Sequence, residues 1–199
     1  MKYSIKLLVT VVSALTPLSS QASSSEFAAK LSEAAVDRTS HSVTYDGRYV
    51  SIAYPGGDVP SDTGVCTDVV IRSYRTLGID LQQLVHEDIS ANFEQYPSKR
   101  IWGLTRPDTN IDHRRVPNLR TFFSRHGKSL PITQRPQDYL PGDIVSWRLP
   151  NNLPHIGVVV DVLSTDRVRP LVVHNIGLGP QMEDMLFSFE ITGHYRYHQ

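Results

Sequence analysis

The single cysteine of the chain, Cys66, stands where the sequence predicts the first turn of a helix. A cluster of capping residues at 61–64 precedes it, and apolar residues follow at roughly helical spacing up to Gly78. At a helix N-terminus, the macrodipole and the unpaired backbone N–H groups favour the thiolate, which is the nucleophilic form of the side chain. Cys66 is therefore a candidate nucleophile, and a buried, inert thiol is the alternative.

A nucleophilic thiol needs a base, and the base needs a third polar group to orient it. Of the eight histidines, His155 opens the most strand-like segment, 154–160, and His174 closes the next one, 171–175. Adjacent antiparallel strands could set these two side chains side by side. Asn175 is the alternative orienting residue. Because neighbours on a strand point to opposite faces, only one of the two can act.

The elements that must position these residues fall into two groups along the chain. Helices are predicted first, over 26–37, 65–77, 80–97 and 117–127, with a short strand at 49–54 after the first of them. Strands are predicted at 143–149, 155–163, 171–176 and 185–197, where β-branched and aromatic residues are frequent. Helices followed by strands predict an α+β domain built on an antiparallel sheet.

Composition and the N-terminus limit the compartment and the class of partner. The chain has 199 residues, with 20 Lys and Arg against 20 Asp and Glu, which predicts one domain and argues against a nucleic-acid partner. Residues 1–22 combine two lysines, an apolar run and small residues before a cleavage point after Ala22, the pattern of an export signal. That apolar run, of about twelve residues, is too short to span a membrane. We expect a signal peptide at 1–22 and a single domain at 23–199, periplasmic or secreted.

Export makes the unpaired cysteine unusual. In an oxidising compartment cysteines usually occur in pairs, so an unpaired one is either incidentally buried or retained for its chemistry.

Four strings of the sequence resemble, in order, the motifs of NlpC-type cell-wall cysteine peptidases, which are relatives of papain. They are Gly64-Val65-Cys66-Thr67-Asp68, Pro141-Gly142-Asp143-Ile144-Val145, His155-Ile156-Gly157-Val158 and Val172-Val173-His174. The resemblance covers about residues 61–176, and the segments 113–118 and 191–197 look like those of a secreted bacterial subgroup within that superfamily. It implies a papain-like NlpC core in which Cys66 is the nucleophile, His155 the general base and acid, and His174 the residue that orients His155. It also implies that the substrate is an amide bond in peptidoglycan stem peptides.

The resemblance is incomplete around the cysteine. NlpC-type enzymes typically have Asp before the cysteine and Ser-Gly after it, whereas Val65 precedes Cys66 here and Thr67-Asp68 follow. The Gly-Val-Cys-x-Asp string also looks like that of transglutaminase-like proteins, which transfer the acyl group to an amine. A catalytically idle module that binds cell-wall peptides or a protein partner is the third hypothesis.

Four further polar residues are candidates for substrate binding, and each has a structural alternative. Asp68 either recognises an amine or favours the helix N-terminus. Arg114 and Arg115 either hold a substrate carboxylate or form a solvated surface. Asn175 is the fourth candidate.

No metal and no cofactor are expected from the sequence. His194 and His198 stand four residues apart, but this spacing brings two histidines together on a helix, and a strand is predicted there. We expect a monomer whose partner is peptidoglycan or a cell-wall peptide.

Overall fold

The computed structural model describes residues 18–198, with side chains from residue 24 onwards. Residues 1–17 of the predicted signal peptide lie outside the described residues, and 18–22 form the start of the first helix. The signal peptide and its cleavage after Ala22 therefore stay predictions. No helix within the described residues is long and apolar enough to cross a membrane.

Helices precede the main sheet along the chain, and this order confirms the predicted α+β class. The helices are α1 (Leu18–Arg38), α2 (Cys66–Thr76), α3 (Leu81–Ala91), α4 (Ser98–Trp102) and α5 (Val116–His126). The strands are β1 (Thr44–Tyr45), β2 (Thr63–Gly64), β3 (Lys128–Ser129), β4 (Ile144–Leu149), β5 (Leu153–Leu163), β6 (Pro170–His174), β7 (Gln181–Glu183) and β8 (Glu190–Arg196).

At the N-termini of α2 and α3, carboxylates accept hydrogen bonds from backbone N–H groups. The Asp68 carboxylate accepts from the N–H of Val65 at 2.7 Å, so this side chain within the first turn of α2 supplies the cap instead of the 61–64 cluster. The Asp80 carboxylate accepts from the N–H of Gln82 at 3.0 Å and caps α3, as the sequence predicts.

The main sheet has six strands in the order β3-β8-β4-β5-β6-β7, and every neighbouring pair is antiparallel. One face carries apolar side chains that pack against the helices, among them Ile144, Ile156, Val158 and Val173. The opposite face carries a second apolar cluster that the segment after β7 covers, among them Val145, Trp147, Val159, Val172 and Leu186. Both faces of the central strands are therefore buried, as the near-continuous apolar sequence of β5 requires.

Two of the predicted strands differ from the structure. The strand predicted at 49–54 is wrong, because this segment is irregular and is held by side chains: Asn110 accepts from the N–H of Ile52 at 2.9 Å and Tyr49 donates to Asp108. The strand predicted at 185–197 begins only at Glu190, and β7 was not predicted. Short strands of mixed polarity such as β7 carry little periodic signal.

The Pro-Gly-Asp turn before β4 packs against α1 and joins β4 to β8. Gly142 has φ +83°, and a Cβ there would lie 2.8 Å from the carbonyl oxygen of Ala28, so only glycine fits against α1. Asp143 is fully buried and accepts hydrogen bonds from the Leu140 N–H at 2.9 Å, the His194 ring at 2.8 Å and the Arg196 guanidinium at 2.7 and 2.9 Å. One carboxylate thus joins the start of β4 to β8.

Replacing Asp143 with Ala removes the acceptor from these buried donors, so we expect Asp143→Ala to lower the free energy of unfolding by about 3–5 kcal/mol. Asp184→Ala is the control, because its ion pair with Arg169 is exposed and its loss should cost about 1 kcal/mol or less. Urea denaturation followed by circular dichroism measures both. If both variants lost the same free energy of unfolding, the role given to Asp143 as a buried acceptor would be wrong.

Candidate active site

Cys66 is the first residue of α2 and lies against the sheet. The preceding residues 63–64 form β2, which pairs in parallel with β1, and the Gly64 carbonyl accepts a hydrogen bond from the Asn175 side chain at 3.3 Å. This contact joins the approach to α2 to the end of β6. The Cys66 side chain is buried, with 5% of the residue exposed, and lies beside β5 at Ile156, the residue after His155.

The two predicted histidines are in direct contact. Nε2 of His155 on β5 and Nδ1 of His174 on β6 lie 3.0 Å apart, and both residues are buried. The rings cross at 88° with centroids 5.0 Å apart. Nε2 of His174 lies 2.8 Å from the Glu183 carboxylate on β7. The side chains of three neighbouring strands therefore form one hydrogen-bonded row.

Gly157 makes this row possible. A Cβ at Gly157 would lie 2.8 Å from the Val173 carbonyl oxygen and 3.1 Å from Cβ of His174, so a side chain there would push β6 away. The indole of Trp147 on β4 closes the other side of the row, with its centroid 5.9 Å from that of His155. The imidazole of His155 is thus enclosed between an aromatic ring and a second imidazole.

Burial decides the protonation states at this site. It raises the pKa of the Cys66 thiol to about 12, although the backbone N–H groups of Ile156, Thr67 and Cys66 itself act in the opposite direction. Burial, together with the nearby His174, lowers the pKa of His155 to about 3. The sequence favoured a thiolate at the helix N-terminus. This expectation is wrong for the folded protein, in which Cys66 is buried. At neutral pH the structure holds a neutral thiol and a neutral imidazole.

Within the described residues, the thiol and the His155 ring form no hydrogen bond. The thiol instead lies near the Ile156 backbone N–H and those of the first turn of α2. The structure therefore brings His155 and His174 together and places Cys66 beside the same strand. Catalytic hydrogen bonds are commonly long in free enzymes and tighten when substrate binds.

Tyr45 is a neighbour of this site that the sequence did not indicate. It pairs with Gly64 across β1 and β2, and 44% of the residue is exposed. Partial burial, followed by the electrostatic effects of Cys66 and Asp68, raises the pKa of its phenol. The hydroxyl therefore stays protonated and can donate a hydrogen bond. Only the pairing of two 2-residue strands, distant in sequence, brings it there.

Asp68 and Arg114, both candidates for substrate binding, bind each other. The Arg114 guanidinium donates to both carboxylate oxygens of Asp68 at 2.9 Å, and both side chains are almost completely buried. Arg114 also donates to the backbone carbonyls of Asp46 at 3.3 Å and Arg48 at 3.4 Å. Their hydrogen-bonding groups are used within the protein, so the pair fixes α2 to the loop that follows β1.

Arg115 and Asn175 also have partners within the protein. The Arg115 guanidinium lies 4.1 Å from the ring centroid of Trp102 and 3.4 Å from the Asp112 carboxylate. Asn175 is buried and binds Gly64, as described above, and its oxygen accepts from the N–H of Gly177 at 3.1 Å. His174, and not Asn175, is therefore the residue that contacts His155. Asn175 instead holds the segment that precedes Cys66.

The described residues hold no group of three or more His, Cys, Asp or Glu side chains that could bind a metal. His194 stacks on Tyr139 with centroids 4.3 Å apart and binds Asp143. His198 lies instead near Phe27, with ring centroids 6.3 Å apart. A groove of about 770 Å³ between α4 and α5 includes Lys99, Arg100 and Arg120, and contains none of Cys66, His155 or His174.

The fold and the site together define an α+β protein with a buried cysteine at a helix N-terminus and a His–His–Glu row across its antiparallel sheet. The chain belongs to the family described as "Domain of unknown function (DUF1287)", whose model matches residues 32–197.

Two proteins illustrate what the chain is similar to. The protein named "Uncharacterized protein YijF" of Escherichia coli (strain K12) is 61% identical over 153 residues, which cover 77% of this chain and 73% of that protein. The structure of NlpC1 from Trichomonas vaginalis aligns with a TM-score of 0.46 at 16% identity and covers 85% of this chain. The chain spans 44% of that NlpC1 chain.

Breaking the buried ion pair should be costly. Arg114→Met leaves the Asp68 charge buried without its partner, so we expect the free energy of unfolding to fall by about 3–5 kcal/mol. Arg135→Met is the control, because its ion pair with Asp138 lies at the surface and contributes about 1 kcal/mol or less. Urea denaturation of both variants measures the difference. If Arg135→Met cost as much as Arg114→Met, the role given to the Asp68–Arg114 pair would be wrong.

The buried histidines should make stability depend on pH. Burial lowers the pKa of His155 to about 3 and of His113 to about 4, whereas in the unfolded chain a histidine titrates near about 6.5. Below that pH the unfolded chain binds more protons than the folded one. The free energy of unfolding should therefore fall as the pH falls from about 6.5 to 4.5, by up to about 1.4 kcal/mol per pH unit for each histidine.

Urea denaturation at several pH values between 7 and 4.5 measures this slope. His113→Asn removes one of these titrating groups, so the slope should become smaller by one histidine. A slope that His113→Asn leaves unchanged would show that folding does not lower the pKa of His113.

Proposed function

We propose that this protein is an exported cysteine hydrolase that cleaves an amide bond in peptidoglycan stem peptides through an acyl-enzyme. The observation that carries the proposal is the 3.0 Å contact between His155 and His174, on the sheet against which the helix of the single cysteine packs. A buried imidazole whose orientation is fixed by a second polar residue, and a thiol at a helix N-terminus, are the groups that thiol acyl transfer requires.

The proposed reaction has two halves. Cys66 transfers its proton to His155 as its sulfur attacks the amide carbonyl carbon, and backbone N–H groups at the start of α2 stabilise the oxyanion. The imidazolium then donates that proton to the nitrogen of the departing amine as the C–N bond breaks. Water next attacks the acyl-enzyme while His155 accepts its proton, and the thiol is restored as the carboxylic acid leaves.

The proposed reaction starts from a neutral thiol and a neutral imidazole. Since burial keeps both groups uncharged, the proton moves when the carbonyl enters, and the ion pair forms only as the reaction proceeds. The phenol of Tyr45, exposed at the edge of the site, is the proposed contact for the polar end of the scissile amide.

The sequence supports the proposed substrate and compartment. The four motifs shared with NlpC-type peptidases support a papain-like core and a cell-wall peptide substrate, and the pattern of residues 1–22 supports export to the periplasm or beyond. A signal peptide at 1–22, a single domain at 23–199 and a monomer belong to the same proposal.

The test is mass spectrometry of muropeptides after incubation with the full chain. We expect the wild type to release cleaved stem peptides, Cys66→Ala to release none, and His155→Asn to be slower by about 100-fold or more, because the general base is lost. His41→Asn, which changes an exposed histidine on the protein surface, should match the wild type.

Two results would replace the proposal with one of its alternatives. Release that is the same with Cys66→Ala as with the wild type would exclude hydrolysis by this thiol. Cross-linked products in the presence of an added amine, in place of hydrolysed ones, would identify a transglutaminase-like acyltransferase.

A further inference from the structure

Glu183 stands at the outer end of the row of polar side chains on β5, β6 and β7. Its carboxylate lies 2.8 Å from Nε2 of His174, whose Nδ1 lies 3.0 Å from Nε2 of His155. His174 and His155 are 1% and 2% exposed, whereas the Glu183 side chain is half exposed. The row therefore runs from solvent to the interior, and each of its contacts is of hydrogen-bond length.

The chemistry of the three groups fixes the direction of both hydrogen bonds. An ionised carboxylate only accepts hydrogen bonds, so Nε2 of His174 must carry the proton that points at Glu183. In a neutral imidazole the other nitrogen then has no proton, and Nδ1 of His174 can only accept. Nε2 of His155 must therefore be the donor of the second bond.

Nδ1 is the nitrogen of His155 that does not contact His174. Because the proton of the neutral ring is on Nε2, Nδ1 of His155 carries a free lone pair. The proposed hydrolysis needs this lone pair, since Nε2 is already bonded to His174 and only Nδ1 can accept the thiol proton.

The same row has a second arrangement in which His155 cannot act as a base. If Nδ1 of His174 carried the proton, it would donate to Nε2 of His155, and the proton of the His155 ring would then be on Nδ1. The two imidazoles alone do not distinguish these arrangements, because each ring can be either donor or acceptor. The Glu183 carboxylate at the end of the row can only accept, so it selects the first arrangement.

We propose that Glu183 is a positioning residue that, through His174, holds His155 in the tautomer whose Nδ1 is free to accept the thiol proton. The use of that nitrogen in catalysis rests on the proposed function, but the tautomers themselves do not. The neighbouring Asp184 has no such role, because its carboxylate binds Arg169 at 2.7–3.2 Å.

The decisive comparison is between Glu183→Gln and Glu183→Lys. The Gln side chain can donate or accept, so it no longer selects one arrangement. The Lys ammonium only donates, so it favours the lone pair on Nε2 of His174 and thus the reversed arrangement. Glu190→Gln is the control, since Glu190 is an exposed carboxylate on β8, paired with Arg148 at 3.5 Å.

Two measurements on the full chain need no substrate. Two-bond ¹H–¹⁵N spectra of the histidine rings report which nitrogen carries the proton, with signals assigned from His155→Asn and His174→Asn. The rate of alkylation by iodoacetamide reports how readily the thiol loses its proton, and the single cysteine makes the adduct unambiguous.

In the wild type and in Glu190→Gln we expect both rings to be protonated on Nε2. In Glu183→Lys we expect both to be protonated on Nδ1, with alkylation of Cys66 slower by about 10-fold or more. In Glu183→Gln we expect a mixture of the two forms and an intermediate rate.

A wild-type His155 protonated on Nδ1, or unchanged tautomers in Glu183→Lys, would overturn the proposal. So would tautomers that reverse while the alkylation rate stays the same. If muropeptides are not cleaved but the tautomers and the alkylation rates change as expected, the proposed hydrolysis is wrong and the role of Glu183 stands.

Discussion

The ion pair of Asp68 and Arg114 is the constraint on which the position of the cysteine depends. Its carboxylate caps α2 at Val65, and its guanidinium binds the loop after β1, so the pair joins the two segments that flank the site. Because an uncompensated charge in this environment is costly, the loss of either partner destabilises the start of α2. The start of α2 is therefore held by the Asp68–Arg114 ion pair on one side and by the Asn175 hydrogen bond to Gly64 on the other.

The sheet supplies the second part of the site through a polar row on an otherwise apolar surface. His155 lies between the Trp147 indole and the His174 ring, and each imidazole nitrogen between the two histidines is satisfied by its neighbour. Such a row is stable only if every member has a partner, and this requires the close approach of β5 and β6 at Gly157. The glycine and the two histidines are thus one structural unit.

Burial of this unit has a chemical consequence. It keeps the thiol and the imidazole neutral, which separates this site from one that rests as a thiolate–imidazolium pair. The helix dipole acts on Cys66, but desolvation is the larger effect. When both groups are neutral at rest, proton transfer from Cys66 depends on the tautomer of His155. It therefore also depends on the Glu183 carboxylate at the far end of the row.

The sequence by itself determined the α+β class, the helix that begins at Cys66, and the strands that carry His155 and His174, because these depend on local periodicity and turn residues. It also named Asp68, Arg114 and Asn175, but it left each of them between a substrate-binding role and a structural or orienting one, since their partners lie tens of residues away. Tyr45 and Glu183 were missed because short strands have no periodic signal. Only the tertiary structure decided which polar groups meet and which protons they hold, because pairing and desolvation depend on segments distant in sequence.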